Sequence, residues 1–155
     1  MKSTTKLGEL GEQLVAKWLQ SQGYTILHHH WSCRWGEIDL IAYNQTENSI
    51  LPVNQASLLF VEVKTRSRGN WDLDGILAIT SEKQRKISLT AQLFLSESPN
   101  LANLPCRFDL ALVHSRKLQQ PVARQLPQTI ELGKIVEWGE YQLALKNYIP
   151  GAFEG

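Results

Sequence analysis

The run LLFVEVK at residues 58–64 is the most strand-like stretch in the chain, and EIDLIAY at residues 37–43 alternates as a strand does. A polar segment from Asn44 to Ser57, which contains Pro52 and three asparagines, separates the two runs. We therefore predict that they form a β-hairpin with a long loop.

The charged residues of the two runs fall at corresponding positions. In a hairpin symmetric about the middle of its loop, residues whose numbers sum to 101 oppose each other, so Asp39 faces Glu62 and Glu37 faces Lys64. Directly opposed residues have Cβ atoms about 4.5–5.5 Å apart, close enough for two carboxylates to share a hard divalent cation. A register slip of one residue would separate the charges onto opposite sheet faces.

A simpler interpretation exists for Glu62 and Lys64. A Glu-x-Lys pair that stands by itself on a strand is typically exposed to solvent at a sheet edge and has no further role. Here the pair extends an apolar run, and charges at the end of a buried strand are costly unless they are paired or bind metal. With Asp39 opposite, the metal-site interpretation is favoured.

Periodicity and stop signals predict the remaining elements. The start of the second helix rests on a capping box formed by Ser81 and Gln84. The predicted elements are a helix over 3–22, a short strand over 24–27, a helix of about 15 residues from Ser81, a strand over 107–113 and a further strand over 129–136. This order predicts a single α/β domain over 1–155, with a mixed central sheet of about five strands flanked by helices.

Composition narrows the protein class. The formal net charge is +1, so the overall charge does not indicate a nucleic-acid partner. Evidence for such a partner has to come from local clusters of basic residues. Cys33 and Cys106 lie far apart, with no zinc-type spacing, which favours a reducing cytoplasmic location. No stretch approaches the roughly 18 apolar residues that a membrane span needs, so we expect no membrane association.

Two helical residues are candidates to face the predicted site. On a helical wheel Glu12 lies about 20° from Leu19, at the border of the apolar stripe, whereas Glu9 points further out. Lys83 lies within about 40° of Ile87, which directs it toward the sheet and a bound phosphate. A surface glutamate and a snorkelling lysine are the alternative interpretations.

The middle of the chain is locally basic. Arg66, Arg68, Lys83 and Lys86 are candidates to contact nucleic acid, with Trp71 as a stacking surface, although a solvated loop and helix face would look similar. The run His28–His30 could direct at most its first and third residues to one ion, because strand side chains alternate. Ordinary surface or groove histidines are the favoured interpretation.

The motifs GELGE at 8–12, GEIDLI at 36–41 and FVEVKTR at 60–66 carry a family resemblance. Together with Gly23-Tyr24, Lys83 and RFD at 107–109, they resemble the bacterial YraN-type family of endonuclease-like proteins over nearly the whole chain. The chain departs from that pattern in its long 44–57 loop and in its histidine run, where the family more often has an asparagine and other polar residues.

The resemblance implies a restriction-endonuclease-like fold with a PD-(D/E)xK site, related to archaeal Holliday-junction resolvases. It implies that Asp39 and Glu62 are metal ligands, that Lys64 is the catalytic lysine, and that Glu12 matches the acidic residue of the resolvases' first helix.

The resulting hypothesis is metal-dependent hydrolysis of phosphodiester bonds. Asp39, Glu62 and the Val63 carbonyl would hold one or two Mg²⁺ or Mn²⁺ ions, and Lys64 would position water and stabilise developing charge. Glu37 is a candidate to bind a second ion, to assist a metal-bound water or to pair with Lys64.

Two other functions remain open: a nucleic-acid-binding module with little or no catalysis, and a protein-interaction adaptor. The sequence favours DNA as the partner without excluding RNA, and it leaves open whether the chain forms a homodimer.

Overall fold

The structure, a computed structural model, describes residues 2–44, 57–67, 79–122 and 125–154. Most of the predicted 44–57 loop, Arg68 and Trp71 lie outside the described residues. The described residues form two helices and five strands: α1 Lys2–Ser21, β1 Thr25–Cys33, β2 Gly36–Tyr43, β3 Leu58–Arg66, α2 Ser81–Ser96, β4 Cys106–Val122 and β5 Ile135–Phe153.

The five strands form one sheet in the order β1-β2-β3-β4-β5. Strands β3 and β4 are parallel, and α2 lies between them in the chain, as a parallel crossover requires; the other neighbours are antiparallel. The predicted class is confirmed: the protein is α/β with a mixed five-stranded sheet flanked by helices, consistent with a restriction-endonuclease-like fold. No described helix is long and apolar enough to cross a membrane.

The predicted register of the β2–β3 hairpin is confirmed where the two strands pair. Ile41 pairs with Phe60 and Tyr43 with Leu58, as the sum of 101 requires. The backbone pairing of the two strands ends at Leu40 and Val61, one residue before the predicted Asp39–Glu62 pair. Beyond that point an Asp39 carboxylate oxygen accepts a hydrogen bond of 2.8 Å from the Val63 backbone N–H. A side chain thus replaces the backbone partner at the end of the ladder.

The two helices pack on opposite faces of the sheet. Leu59 and Val61 of β3 join the core cluster that contains the apolar stripe of α1. Phe60, one position along, packs instead with Ile87 and Phe94 of α2. Since strand side chains alternate, Glu62 follows Phe60 onto the α2 face.

A buried ionic network ties β4 to β5. Asp109 is fully buried, and its carboxylate accepts hydrogen bonds from the Arg107 guanidinium at 2.8 and 3.0 Å. The same carboxylate accepts from the Tyr148 hydroxyl at 2.5 Å and the Gly151 N–H at 3.0 Å. Burial and the Asp109 charge raise the pKa of Tyr148, so its hydroxyl remains a donor. These donors satisfy a charge that could not otherwise be buried.

The start of α2 differs from the predicted capping box. The N-cap is Thr80 rather than Ser81, and the Thr80 side chain accepts from the backbone N–H of Lys83. The physical requirement, a hydroxyl that satisfies a free N–H of the first turn, is met one residue earlier.

The predicted strand over 129–136 is wrong except at its last two residues, and the long strand β5 was not predicted. Positive φ values at Gly139 and Gly151, and shifts in the β4–β5 register, interrupt the alternation of apolar side chains that identifies a strand. Because of these irregularities, the sequence of β5 does not show the regular alternation that would have predicted the strand. Strand β1 also runs further than predicted and includes the whole histidine run.

Candidate functional site

Acidic side chains from α1, β2 and β3 are buried together. Glu12, Asp39 and Glu62 are only 7%, 8% and 7% exposed. Asp39 and Glu62 line a cavity of about 160 Å³, and Lys83 and Lys86 of α2 line it as well. The predicted approach of the two strand carboxylates is therefore confirmed in position.

Asp39 shows the electrostatic consequence of this crowding. Burial, together with the nearby charge of Glu62, raises the pKa of Asp39 to about 7. The Val63 N–H bond acts in the opposite direction, since it stabilises the charged carboxylate. The predicted role of the Val63 carbonyl as a metal ligand stays a prediction.

Glu12 reaches the site because α1 approaches β3 closely. A Cβ at Gly11 would overlap the Thr65 hydroxyl oxygen, so glycine permits this close approach. The neighbouring residue Glu12 is buried while Glu9 is exposed, which confirms the positions expected from the helical wheel. Burial, followed by the charge of Asp39, raises the pKa of Glu12 to about 8.

Two lysines converge on Glu62. One Glu62 carboxylate oxygen lies 3.2 Å from the Lys64 ammonium and 2.8 Å from that of Lys83. Burial lowers the pKa of Lys64, and the neighbouring Lys83 adds to this. Burial would also lower the pKa of Lys83, but its hydrogen bonds to Glu62 and Lys64 outweigh it and the pKa rises. Lys83 thus faces the sheet, as predicted.

His30 joins the site, which the sequence interpretation missed. Its ring Nε2 lies 2.6 Å from a Glu12 carboxylate oxygen, and its Nδ1 lies 3.6 Å from one of Glu37. His30 has a φ of 53°. Ligand atoms of Glu12, His30 and Asp39 all lie within 4.8 Å of one another.

The signal that could have found His30 is the β1–β2 register. The turn at Cys33–Gly36 sets pairs whose numbers sum to 69, including His29–Leu40, and this places His30 opposite Asp39. His28 instead packs edge-on against Phe94, with ring centroids 5.5 Å apart. The groove-histidine interpretation therefore fits His28.

The donor set fits a hard divalent cation. Glu37, Asp39 and Glu62 line the cavity, and Glu12 lies beside Asp39. Carboxylate oxygen is the ligand that Mg²⁺ and Mn²⁺ prefer. The raised pKa values of Glu12 and Asp39 mean that their negative charges lack sufficient compensation. A bound cation would supply it.

Comparison with known proteins gives the family. The model described as "Uncharacterised protein family UPF0102" matches residues 11–113. A UPF0102 protein of Trichodesmium erythraeum is 48% identical over 94% of this chain and 87% of its own length. Another, from Trichormus variabilis, is 47% identical over 98% of this chain and 97% of its own length. The chain belongs to the UPF0102 family.

This UPF0102 membership confirms the YraN-type family that the motifs indicated. The matched region contains the predicted site residues from Glu12 to Lys86, including Arg68, which lies outside the described residues. Arg66 is exposed at the end of β3, and Lys86 is exposed at the cavity. Their contacts with nucleic acid stay a prediction.

Proposed function

We propose that this UPF0102 protein is a metal-dependent nuclease that hydrolyses phosphodiester bonds in nucleic acid. The observation that carries the proposal is the convergence of Asp39, Glu62 and Lys83 at one cavity, with both carboxylates buried and the Lys64 ammonium 3.2 Å from Glu62. Burial of two acids is expensive, and such clusters concentrate at functional sites.

The carboxylates of Asp39 and Glu62 would hold Mg²⁺ or Mn²⁺, with the Val63 carbonyl and Glu37 as further ligands. When bound, the cation polarises the scissile phosphate and lowers the pKa of a nearby water. Glu12 lies at the edge of the same cluster, near Asp39, and would act there as a general acid or base.

The two lysines supply positive charge where a phosphate would enter. Lys64, half-buried beside Glu62, would stabilise the negative charge that develops on the phosphate during attack and would orient the attacking water. Lys83 and Lys86 of α2, on the wall of the cavity, would hold the phosphate itself, and Arg66 would contact the adjoining backbone.

The proposed substrate is DNA, and the resemblance to junction resolvases directs attention to branched forms. A homodimer would present two such cavities related by a two-fold axis, as cutting two symmetric strands requires. We also propose that the protein is located in the cytoplasm.

The decisive experiment incubates purified protein and Mn²⁺ with single-stranded, duplex, flap and four-way-junction DNA, and with RNA. Glu62→Gln and Lys64→Ala should each abolish cleavage. Lys134→Ala is the matched control, because Lys134 is exposed and pairs only with nearby Glu131 among the described contacts. Cleavage that survives both site substitutions, or binding without cleavage by the unaltered protein, contradicts the proposal.

Metal binding tests the site without catalysis. Mn²⁺ at about 100 times its Kd should stabilise the folded protein by about 2.7 kcal/mol. Asp39→Asn, which keeps the side chain's shape, should lose most of this gain. An adaptor with an incidental ion-pair network would show no gain at all, and that result would count against a nuclease site.

A further inference from the structure

The acidic cluster contains one nitrogen donor, His30, whose position depends on local backbone geometry. Its φ of 53° departs from the extended conformation of a strand, and its ring contacts Glu12 of α1. Only a few per cent of residues other than glycine adopt positive φ, and doing so costs free energy. This conformation places the imidazole beside two buried carboxylates.

We propose that Glu12, His30 and Asp39 form a mixed nitrogen and oxygen cation position that makes this site select a first-row transition-metal ion over Mg²⁺. The inference deepens the proposed function and rests on it for the role of the cavity. It concerns which metal is bound, whereas the proposed function concerns what the site does to nucleic acid.

The distances suit one ion. Nitrogen and oxygen ligands at about 2.0–2.2 Å from a common ion lie roughly 3–4 Å from one another. The ligand atoms of the three residues already lie within 4.8 Å of one another. Side-chain shifts on the order of half an ångström would bring all three to coordination distance from one ion. Glu12 and Asp39 are buried, whereas His30 is exposed, so an ion held here would face water on the His30 side.

A carboxylate lies near the second ring nitrogen of His30, beyond hydrogen-bond length but within reach of a small side-chain shift. Histidine ligands usually direct the other ring N–H to a carboxylate or carbonyl, which fixes the ring and raises its basicity. Here Glu37 places a carboxylate oxygen 3.6 Å from His30 Nδ1, leaving Nε2 directed at Glu12.

Ligand chemistry gives the selectivity. An all-oxygen set such as Asp39 with Glu62 suits Mg²⁺ as well as Mn²⁺, whereas an imidazole favours later transition metals along the Irving–Williams order. His30 therefore adds affinity for ions such as Co²⁺ and adds little for Mg²⁺.

The test measures Co²⁺ and Mg²⁺ binding by calorimetry on the unaltered full chain and on His30→Asn. The Kd for Co²⁺ should rise by about tenfold or more, since loss of even an outer-shell partner of a metal site costs 10–100-fold. The Kd for Mg²⁺ should change by less than about threefold. His28→Asn is the matched control and should leave both Kd values unchanged, because His28 packs on Phe94.

Glu12→Gln provides a second variant and should also weaken Co²⁺ binding. The visible absorption of bound Co²⁺ should change in His30→Asn, which a merely structural contact between His30 and Glu12 would not produce. Equal losses for Co²⁺ and Mg²⁺, no loss, or an equal loss in His28→Asn would overturn the inference. Cleavage in Mn²⁺ by the unaltered protein, compared with Glu62→Gln and Lys64→Ala, judges the proposed function separately.

Discussion

Replacing Glu12 with glutamine removes a buried negative charge and keeps the shape of the side chain. In the metal-free protein Glu12 lies near the carboxylates of Asp39, Glu37 and Glu62, and burial with these charges raises its pKa from 4.5 to about 8. The folded protein therefore binds the Glu12 proton more tightly than the unfolded chain does. We expect Glu12→Gln to stabilise the metal-free protein at alkaline pH.

The pKa change sets the size and pH window of the effect. Below about pH 4.5 the carboxyl is protonated in both states and carries no charge penalty; the penalty grows as pH rises and is complete above about pH 8. At about 1.4 kcal/mol for each tenfold change in proton affinity, its upper limit is about 5 kcal/mol. We expect roughly half of that limit, because the contact with His30 is lost in the variant and the surroundings relax.

The assay is urea unfolding with chelator present at several pH values between 5 and 9. The free energy of unfolding of Glu12→Gln should exceed that of the unaltered protein by about 2–3 kcal/mol at pH 9, with little difference at pH 5. Glu9→Gln, at an exposed position of the same helix, should show neither effect. A difference that is independent of pH, or a variant less stable at pH 9, would refute the reasoning.

Four further substitutions test the packing near the site and in the β4–β5 network, each by urea unfolding. Gly11→Ala should lower the free energy of unfolding by about 1–3 kcal/mol, because the added Cβ would overlap the Thr65 hydroxyl. Gly8→Ala should raise it by up to about 1 kcal/mol, because a Cβ there has nothing within 4 Å and alanine favours the helix. Asp109→Asn should cost about 3–5 kcal/mol by removing the charge of a fully buried carboxylate that accepts from Arg107, Tyr148 and Gly151. Phe94→Ala should cost about 3–5 kcal/mol by opening the α2 core, and costs under 1 kcal/mol would contradict these assignments.

The β2–β3 hairpin was predictable because two constraints agree. Apolar pairs such as Ile41–Phe60 fix the register by burial, and the same register brings Asp39 and Glu62 together. The helical positions of Glu12 and Lys83 followed from wheel geometry for a similar reason, since the apolar stripe of each helix has to face the sheet.

His30 and β5 were not predictable from periodicity because both depend on non-local or irregular backbone. The place of His30 requires the β1–β2 register and a positive φ, which consecutive histidines do not reveal. Strand β5 is held by its long pairing with β4 and by the buried Asp109 carboxylate, despite Pro150 and Gly151 in its sequence. Tertiary pairing overrides the local signal there.

The distribution of positive charge in the cluster indicates where a cation is most needed. Glu62 already has two ammonium groups within 3.2 Å, and Asp39 has one backbone N–H. Glu12 contacts His30, and the carboxylates of this cluster with strongly raised pKa values are those of Glu12 and Asp39. The uncompensated charge therefore lies on the Glu12 side of Asp39. A cation bound there would leave both lysines on Glu62 in place. A cation shared by Asp39 and Glu62, as in the proposed function, would use the Glu62 oxygen that the lysines do not contact.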